Sequence, residues 1–197
     1  MKPFFECKIP NDKPWLILGK GPSYSRIQFL KLEEVYIFGL NHVADLIHCN
    51  IAHAIDLDAV TPGFLKADNV VIPWHPHIGN LPSKQTLLEL VESNEILEQL
   101  NNERKLLTYN CSTYKKSRTI SNSPKVKTRF FSAEAAFRLL AMSGVKFIFS
   151  AGIDGGSEYA EEFQHLKPLT NGRKRFDKQF AEIENTITQF GLSHKAL

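Results

Sequence analysis

The chain alternates short apolar runs with longer stretches of helical period. Six of the runs are almost uniformly apolar, which is typical of strands that are covered on both faces of a parallel sheet. They occupy residues 15–18, 35–39, 52–57, 69–74, 106–109 and 147–151. This alternation of strands with helices predicts an α/β fold, namely a Rossmann-like three-layer sandwich around a mainly parallel sheet.

Helical patterns fill the spaces between several of these strands, most clearly at residues 83–103, 132–143 and 175–190. In the second pattern the apolar residues fall largely on one stripe. Ser132 stands where an N-cap is expected, and Gly144 stands where the helix should stop. The third pattern repeats apolar residues every three or four positions and ends before Gly191. We expect both helices to pack their apolar sides on the sheet.

Length and composition place limits on the kind of protein. With 197 residues, 43% of them hydrophobic, the chain can bury one sizeable core, so we expect one domain over residues 1–197. Its 24 basic and 21 acidic residues leave a net charge of +3, which is too small to indicate wholesale nucleic-acid binding. No apolar run approaches the ~20 residues that cross a bilayer, and no signal-peptide core is visible at the start.

The three cysteines, Cys7, Cys49 and Cys111, are widely spaced. Such spacing argues against a disulfide framework and against a structural zinc cluster. A reducing cytosol fits this usage best, and we therefore expect a soluble, cytoplasmic protein.

A glycine-rich turn follows the first predicted strand. It contains Gly19, Gly21, Pro22 and Ser23. Glycines permit backbone angles and close approaches that other residues do not, so N–H groups of this turn can face an anionic ligand, and a helix beginning near Ser23 would add its positive end. The alternative is a plain turn between a strand and a helix, with Ser23 as its N-cap. The turn matches neither the dinucleotide fingerprint nor the Walker pattern.

Polar residues also follow the second and third predicted strands. Asn41 follows the second, and Asp56 and Asp58 end the third. Ligands bind open parallel sheets at the carboxyl edge, so these side chains belong to the same candidate site as the first turn. Two carboxylates two residues apart can share a hard cation, Mg²⁺ or Mn²⁺. The alternative is structural: Asp58 caps a helix and Asp56 bonds a neighbouring loop.

Two histidines, His75 and His77, follow the fourth predicted strand. Imidazoles at this edge can ligate a metal or move a proton near neutral pH. Loops also contain many histidines with neither role, so both interpretations stay open.

The segment 111–133 contains no acidic residue and lacks a clear strand or helix period. It holds six basic residues: Lys115, Lys116, Arg118, Lys125, Lys127 and Arg129. A basic segment entering a helix suits a polyanionic leaving group, because its charges add to the helix dipole. The alternatives are a solvated loop and contact with nucleic-acid phosphates. Its aromatic residues are too few for a base-stacking platform, so no specific nucleic-acid partner is expected.

Three motifs, "ILGKGPS", "FGLN" and "TRFFSAEAAFRLLAMSGVKFIFSAGID", resemble the bacterial sialyltransferases of glycosyltransferase family 42. The match covers about a third of the chain. The resemblance implies a Rossmann-like domain that binds a cytidine monophosphate (CMP) sugar without a metal. It places the nucleotide among the residues Gly21, Ser23, Asn41, Ser132, Gly152 and Asp154.

The chain departs from this family at several positions. Lys20 stands where the family usually has Asn, and Asp56 also stands where Asn is usual. The family's catalytic histidine follows the last motif, where this chain offers His165.

The same turn, the Asn and the Asp at the third strand end also resemble the 6-hydroxymethylpterin diphosphokinase-like family. This second resemblance implies diphosphoryl transfer, with Mg²⁺ held by Asp56 and Asp58 and the phosphates neutralised by the basic segment. The two families share a type of fold, and a fold does not choose between their chemistries.

The sequence thus predicts a transferase that moves a glycosyl group from a nucleotide-activated sugar. Ser23, Asn41 and Ser132 would fix the donor, and Arg129 would stabilise the departing phosphate. A histidine would deprotonate the acceptor hydroxyl, a role open to each of three residues: His75, His77 and His165. Besides the Mg²⁺-dependent diphosphokinase, the alternative is a non-catalytic module that binds a nucleotide.

Overall fold

The computed structural model describes residues 1–112, 120, 123–128, 131–170 and 176–197, with residues 168–170 described by their backbone alone. The strands are β1 (Lys2–Pro3), β2 (Trp15–Leu18), β3 (Tyr36–Leu40), β4 (Ile51–His53), β5 (Asn69–Pro73), β6 (His77–Ile78), β7 (Leu81–Pro82), β8 (Leu106–Cys111), β9 (Lys125–Val126), β10 (Phe147–Ala151) and β11 (Ser193–Ala196). The α-helices are α1 (Val43–Leu46), α2 (Leu87–Val91), α3 (Glu95–Asn102), α4 (Ser132–Met142) and α5 (Phe180–Phe190).

Short 3₁₀ helices make up much of the remaining regular structure. They are Phe4–Glu6, Pro22–Phe29, Leu32–Glu34, Leu57–Ala59, Pro62–Lys66, Glu161–Thr170 and Phe176–Gln179. The segments that follow β2 and β4, where the sequence suggests α-helices, therefore wind as 3₁₀ turns.

Nine strands form one sheet in the order β1-β8-β5-β4-β3-β2-β10-β11, with β9 paired to β8. Every pairing in this sheet is parallel. The strands β6 and β7 form a separate antiparallel hairpin. The predicted α/β class and the mainly parallel sheet are confirmed.

The order of the strands reverses once, beside β2. From β2 the chain proceeds outward through β3, β4 and β5 to β8, and then returns to the other side of β2 with β10 and β11. In open parallel sheets, the crevice outside the carboxyl ends at such a reversal is the usual place for a ligand.

Both faces of the sheet are covered, which explains the uniformly apolar strands. In β2, Trp15 and Ile17 enter one core and Leu16 and Leu18 enter the other, and all four are buried. The first core is closed by α4 and α5, and the second by α1, α2, α3 and 3₁₀ segments. Successive strand side chains point to opposite faces, so a strand between two cores is apolar throughout.

The helical prediction over 83–103 corresponds to two helices. Thr86 caps α2 in a reciprocal arrangement with Glu89. The side chain of Asn94 then accepts the N–H of Leu97 at 3.0 Å and starts α3. The cap at Asn94 begins a second helix, and the spacing of apolar residues alone does not reveal this break.

The helix α4 begins at Ser132 itself, and Phe131 occupies the N-cap position without a side-chain cap. The expectation that Ser132 is the N-cap is therefore wrong by one residue. Ser132 lies in the first turn, so its hydroxyl is available for other contacts.

Five strands have no clear apolar signal in the sequence. The edge strand β11 is polar and mostly exposed, and β1, β9 and the hairpin strands β6 and β7 are two residues long. Short or polar edge strands are usual at sheet borders because they discourage edge-to-edge association. Among the described residues, no helix combines the length and the apolar character that crossing a bilayer requires.

Candidate functional site

A pocket lies at the reversal of strand order, and we call it the switch-point pocket. The end of β2 contributes Gly19, Lys20 and Gly21, and the end of β3 contributes Leu40 and Asn41. The turn after β10 and the first residues of α4 complete its inner wall. Six of the eight residues predicted to bind a nucleotide line it: Gly19, Gly21, Asn41, Ser132, Gly152 and Asp154. Pro22 and Ser23 lie behind this wall, in the 3₁₀ helix that follows β2.

The turns after β2 and β10 are bonded directly to each other. Gly19 donates its N–H to Ala151 at 2.8 Å, and Gly21 donates to Gly152 at 2.8 Å. A Cβ atom on Gly19 would overlap the carbonyl group of Gly152. The glycines of the "GKGPS" turn are thus required for the close approach of two strand ends.

Ser23 extends this contact on both sides. Its N–H donates to Oδ2 of Asp154 at 2.9 Å, and its hydroxyl oxygen accepts the N–H of Gly152 at 2.8 Å. The N–H groups of Gly19, Gly21 and Ser23 are therefore engaged within the protein. The expectation that these three groups face a ligand is wrong, because the neighbouring turn already uses them. A ligand contact through other atoms of these residues stays a prediction.

Asn41 and Ser132 meet at the pocket although they lie far apart in the chain. The hydroxyl of Ser132 donates to Oδ1 of Asn41 at 3.4 Å. Asn41 has a left-handed backbone with φ of 54°, a conformation that Asn tolerates better than most residues. The N-terminus of the eleven-residue α4 opens on the same pocket, and the N–H groups and the dipole at this helix end favour negative charge there.

Lys20 is a pocket residue that the sequence pattern did not assign to the site. Its Nζ lies 4.8 Å from the centre of the Tyr159 ring, a cation–π contact. Burial lowers the pKa of its ammonium to about 8. The signal for Lys20 in the sequence is a lysine inside a glycine-rich turn, at a position where the resembled family usually has Asn.

His42 is half-buried and lies within electrostatic range of Lys20. Burial lowers its pKa to about 4, helped by the positive charges of Lys20 and His165. Its Nδ1 is buried and has no hydrogen-bond partner among the described residues. His42 directly follows the predicted Asn41, but a half-buried histidine cannot be told from an exposed one by sequence.

His165 is exposed on the 3₁₀ helix Glu161–Thr170, and its charge is felt by His42. It is not among the residues that line the pocket. Of the three predicted histidines it is the one with an electrostatic link to this group of residues.

The other two predicted histidines lie with the β6–β7 hairpin. His75 is buried, and its Nδ1 is 3.2 Å from the carbonyl oxygen of Gln85. His77 starts β6, and its N–H donates to Ile55 at 2.7 Å. Neither lines the switch-point pocket. This placement argues against either as the base of that pocket.

Asp56 and Asp58 hold the same hairpin. Oδ2 of Asp56 accepts the N–H of Asn80 at 2.6 Å, and Oδ2 of Asp58 accepts the N–H of Gly79 at 2.7 Å. Oδ1 of Asp56 also accepts the N–H of Asp58 at 3.1 Å. Within the described part of the chain, no three His, Cys, Asp or Glu side chains are grouped to hold a metal. These bonds give both carboxylates a structural role, although Asp56 and not Asp58 caps the 3₁₀ helix Leu57–Ala59. Binding of Mg²⁺ or Mn²⁺ by the pair stays a prediction.

The basic segment is described in part. Lys125 and Val126 form β9, and Lys127 forms an ion pair with the buried Glu182 at 3.0 Å. The charge of Lys127 is therefore paired with a carboxylate of the protein itself. The remaining basic residues, Lys115, Lys116, Arg118 and Arg129, lie outside the described residues, and the role expected of Arg129 stays a prediction.

Two carboxylates line the pocket, and each has a partner. Asp154 accepts from Ser23, and Glu158 forms an ion pair with Lys167 at 2.8 Å. The hydrogen bond from Lys167 lowers the pKa of Glu158. The enclosed volume is about 80 Å³, well below the ~300–1,000 Å³ typical of small-molecule pockets. A nucleotide would therefore extend beyond the cavity or displace part of its wall.

Comparison with known proteins gives a match at the level of structure. No protein-family model matches the chain, and no curated protein matches it by sequence. The chain is similar to the sialyltransferase CST-II in complex with a trisaccharide acceptor and CMP, with 14% identity, a TM-score of 0.56, and coverage of 94% of this chain and 81% of that chain. It is equally similar to CstII from Campylobacter jejuni in complex with the substrate analogue CMP-3FNeuAc, with 13% identity, a TM-score of 0.56 and the same coverage.

A structure of monomeric CstII matches in the same way, with 14% identity and a TM-score of 0.56 over 94% of this chain and 81% of that one. Similarity at this level of identity shows the fold. None of the matches supports the resemblance to the diphosphokinase-like family. The chain has the Rossmann-like fold of the sialyltransferase CstII, as its first resemblance predicted.

Proposed function

We propose that the protein is a glycosyltransferase that binds a CMP-sugar in the switch-point pocket. The observation that carries this proposal is the convergence of the ends of β2, β3 and β10 with the N-terminus of α4 on one pocket. The structures that share this fold include complexes with CMP and with CMP-3FNeuAc. A ligand at this place meets a positive helix end and a positive side chain, which suits a phosphate.

In this proposal, Asn41 and Ser132 orient the donor. Oδ1 of Asn41 accepts from Ser132, so the amide NH₂ of Asn41 is left to donate to an oxygen of the ligand. The first N–H groups of α4 lie beside them and face the same space. These groups act as donors, and phosphate oxygens only accept, so the complementarity is consistent with the phosphate of CMP.

Transfer would break the bond between the sugar carbon and the phosphate oxygen, and CMP would leave with the electron pair. An acceptor hydroxyl would form the new bond and lose its proton to a base. His165 is the candidate for this role, because its exposed imidazole can meet an acceptor in its neutral form and lies within electrostatic range of His42. General-base assistance of this kind is typically worth 10²–10⁴-fold in rate.

The binding step is tested by thermal unfolding with CMP, CDP, UDP, GTP and ATP, each with and without Mg²⁺. We expect CMP to raise the midpoint without Mg²⁺, because a ligand that binds only the folded state stabilises it. Stabilisation only by a triphosphate with Mg²⁺ would contradict the proposal. Turnover is then followed as release of CMP from a CMP-sugar with an acceptor glycan. Binding without turnover would favour the non-catalytic module.

A pair of serines on one helix supplies the matched control. Ser132→Ala removes a hydroxyl at the pocket end of α4, and Ser143→Ala removes one at the other end. We expect the first variant to weaken CMP binding about fivefold, because the amide of Asn41 loses the hydrogen bond that orients it, worth ~1 kcal/mol. The second variant should bind as the wild type does. Equal behaviour of the two variants would remove α4 from the binding site.

A further inference from the structure

We propose that the ammonium of Lys20 binds the phosphate group of the nucleotide in the switch-point pocket. This inference rests on the proposed function and assigns the leaving-group contact to a residue within the described chain. Lys20 lines the pocket between the two glycines that bring the ends of β2 and β10 together.

Lys20 is held in place by one contact of its backbone and one of its side chain. Its carbonyl oxygen accepts the N–H of Ala160 at 2.8 Å, which ties its backbone to the segment before the 3₁₀ helix Glu161–Thr170. Its Nζ lies over the ring of Tyr159 at 4.8 Å, and Tyr159 also lines the pocket. Little side-chain freedom is then left to lose when a ligand binds, and such preorganisation strengthens binding.

Lys20 lacks a carboxylate partner among the described residues. None of the ion pairs in that part of the chain includes it. The two carboxylates of the pocket are engaged elsewhere, Asp154 with Ser23 and Glu158 with Lys167. A half-buried cation with no counter-charge is costly, and the cost is relieved when an anion enters.

The surroundings of Lys20 reinforce this preference for an anion. The positive end of α4 opens on the same pocket, and phosphate binding at a helix N-terminus is common. Burial lowers the pKa of Lys20 to about 8, so most of the side chains carry the ammonium charge at physiological pH and a minority are neutral. A bound phosphate dianion raises that pKa again, because an opposite charge nearby favours the charged form.

Nucleotide binding should therefore take up a proton near pH 8. The other titratable groups around Lys20 are His42, His165, Tyr159, Asp154 and the pair of Glu158 with Lys167. His42 has a pKa of about 4 and stays neutral above pH 7. The carboxylate of Glu158 has a lowered pKa and stays charged there. The second ionisation of a phosphate monoester lies near ~6, so CMP is a dianion in this range.

The experiment compares CMP with cytidine, which lacks the phosphate, by calorimetric titration. Lys20→Met removes the charge and keeps the length of the side chain. We expect this variant to lose about tenfold or more in affinity for CMP and to keep its affinity for cytidine. Lys13→Met is the matched control, because Lys13 also lies over a tyrosine ring, that of Tyr36 at 5.7 Å, and sits before β2 at the opposite edge of the sheet.

A second readout does not depend on turnover. The rate of acetylation of Lys20 at pH 8, followed by mass spectrometry, should fall several-fold when CMP or pyrophosphate is added, and that of Lys13 should not change. Proton uptake on CMP binding at pH 8, measured in buffers of different ionisation enthalpy, should disappear in Lys20→Met.

The outcomes separate this inference from the proposed function. Equal losses for CMP and cytidine, or unchanged CMP binding, in Lys20→Met would overturn the role of Lys20 and leave the nucleotide site standing. If the wild type bound no CMP while pyrophosphate still protected Lys20, the CMP-sugar proposal would fail and an anion contact at Lys20 would remain. Protection by neither ligand would overturn the inference.

Discussion

Gly152 donates its N–H to the hydroxyl oxygen of Ser23 over 2.8 Å, although 129 residues separate the two in the chain. The bond joins the turn after β10 to the 3₁₀ helix after β2. Asp154 returns a second bond by accepting the N–H of Ser23. The inner wall of the switch-point pocket is therefore held together by hydrogen bonds between two segments that lie far apart in the sequence.

Replacing Ser23 by Ala should destabilise the protein by about 1–3 kcal/mol, because the N–H of Gly152 then loses its buried acceptor. The control is Ser25→Ala, since the exposed hydroxyl of Ser25 only donates to Pro22 at 3.3 Å. Urea unfolding should separate the two variants clearly. If Ser25→Ala lowers the free energy of unfolding as much as Ser23→Ala, the bond between the two turns contributes no more to stability than an exposed hydrogen bond.

Gly152→Ala should cost more than Gly156→Ala. Both glycines have left-handed backbones, with φ of 70° and 60°, so both substitutions carry about 1–2 kcal/mol of backbone strain. A Cβ on Gly152 would also overlap the carbonyl group of Gly19, whereas a Cβ on Gly156 meets nothing within 4 Å. We expect Gly152→Ala to unfold at a distinctly lower urea concentration. Similar midpoints would show that the two turns can separate without loss.

Lys20→Met should stabilise the unliganded protein at pH 7. The pKa of Lys20 is about 8 in the fold against 10.5 unfolded, so burying its charge costs free energy below pH 8. Between pH 8 and 10.5 the unfolded state binds more protons, and that cost fades as the pH rises. We expect a gain of roughly 1–3 kcal/mol at pH 7 that shrinks by pH 9.5.

The measurement for Lys20 is urea unfolding at both pH values, with Lys13→Met treated in parallel. A variant less stable than the wild type at pH 7 would mean that the contact with Tyr159 outweighs the cost of burying the charge. A gain that does not depend on pH would show that packing alone causes it.

Acid should destabilise the protein through the half-buried His42 and the buried His53. Burial lowers the pKa of His42 to about 4 and that of His53 to about 3, from 6.5 when unfolded. The unfolded state binds more protons below pH 6.5, so stability falls as the pH drops toward 4 and 3. Each histidine contributes up to about 1.4 kcal/mol per pH unit in its window.

Unfolding free energies between pH 7 and 5 test this expectation. His53→Phe should flatten the pH dependence, since it removes a fully buried imidazole whose Nε2 is 3.0 Å from the hydroxyl of Tyr109. His48→Asn replaces an exposed histidine and serves as the control. An unchanged slope in His53→Phe would contradict the lowered pKa of His53.

Much of the sheet was predictable from the sequence because its strands lie between two cores. The predicted strands at 15–18 and 147–151 have the bounds of β2 and β10. All four residues of β2 are buried, as are three of the five in β10. The edge strand β11 escaped prediction, because its polar residues pair with β10 by backbone bonds that side chains do not reveal.

The composition of the pocket was predictable for a related reason. Strand ends in a parallel sheet share one edge, so Gly19 and Asn41 could be grouped before the fold was known. Ser132, at the start of a helix, joined the group through the family resemblance alone. The roles within the group were not predictable. Whether a turn's N–H groups face a ligand depends on the neighbouring turn, and here residues 151–154 occupy them.

The sequence by itself determined the α/β class, the principal strands and the edge of the sheet at which the pocket lies, because these follow from apolar period and from the direction of parallel strands. Only the tertiary structure decided which polar groups are satisfied internally. It engaged Asp56 and Asp58 with a hairpin and left Lys20 without a carboxylate among the described residues. Burial and partners at long range set the charge and the availability of a side chain, and neither is encoded in its immediate neighbours.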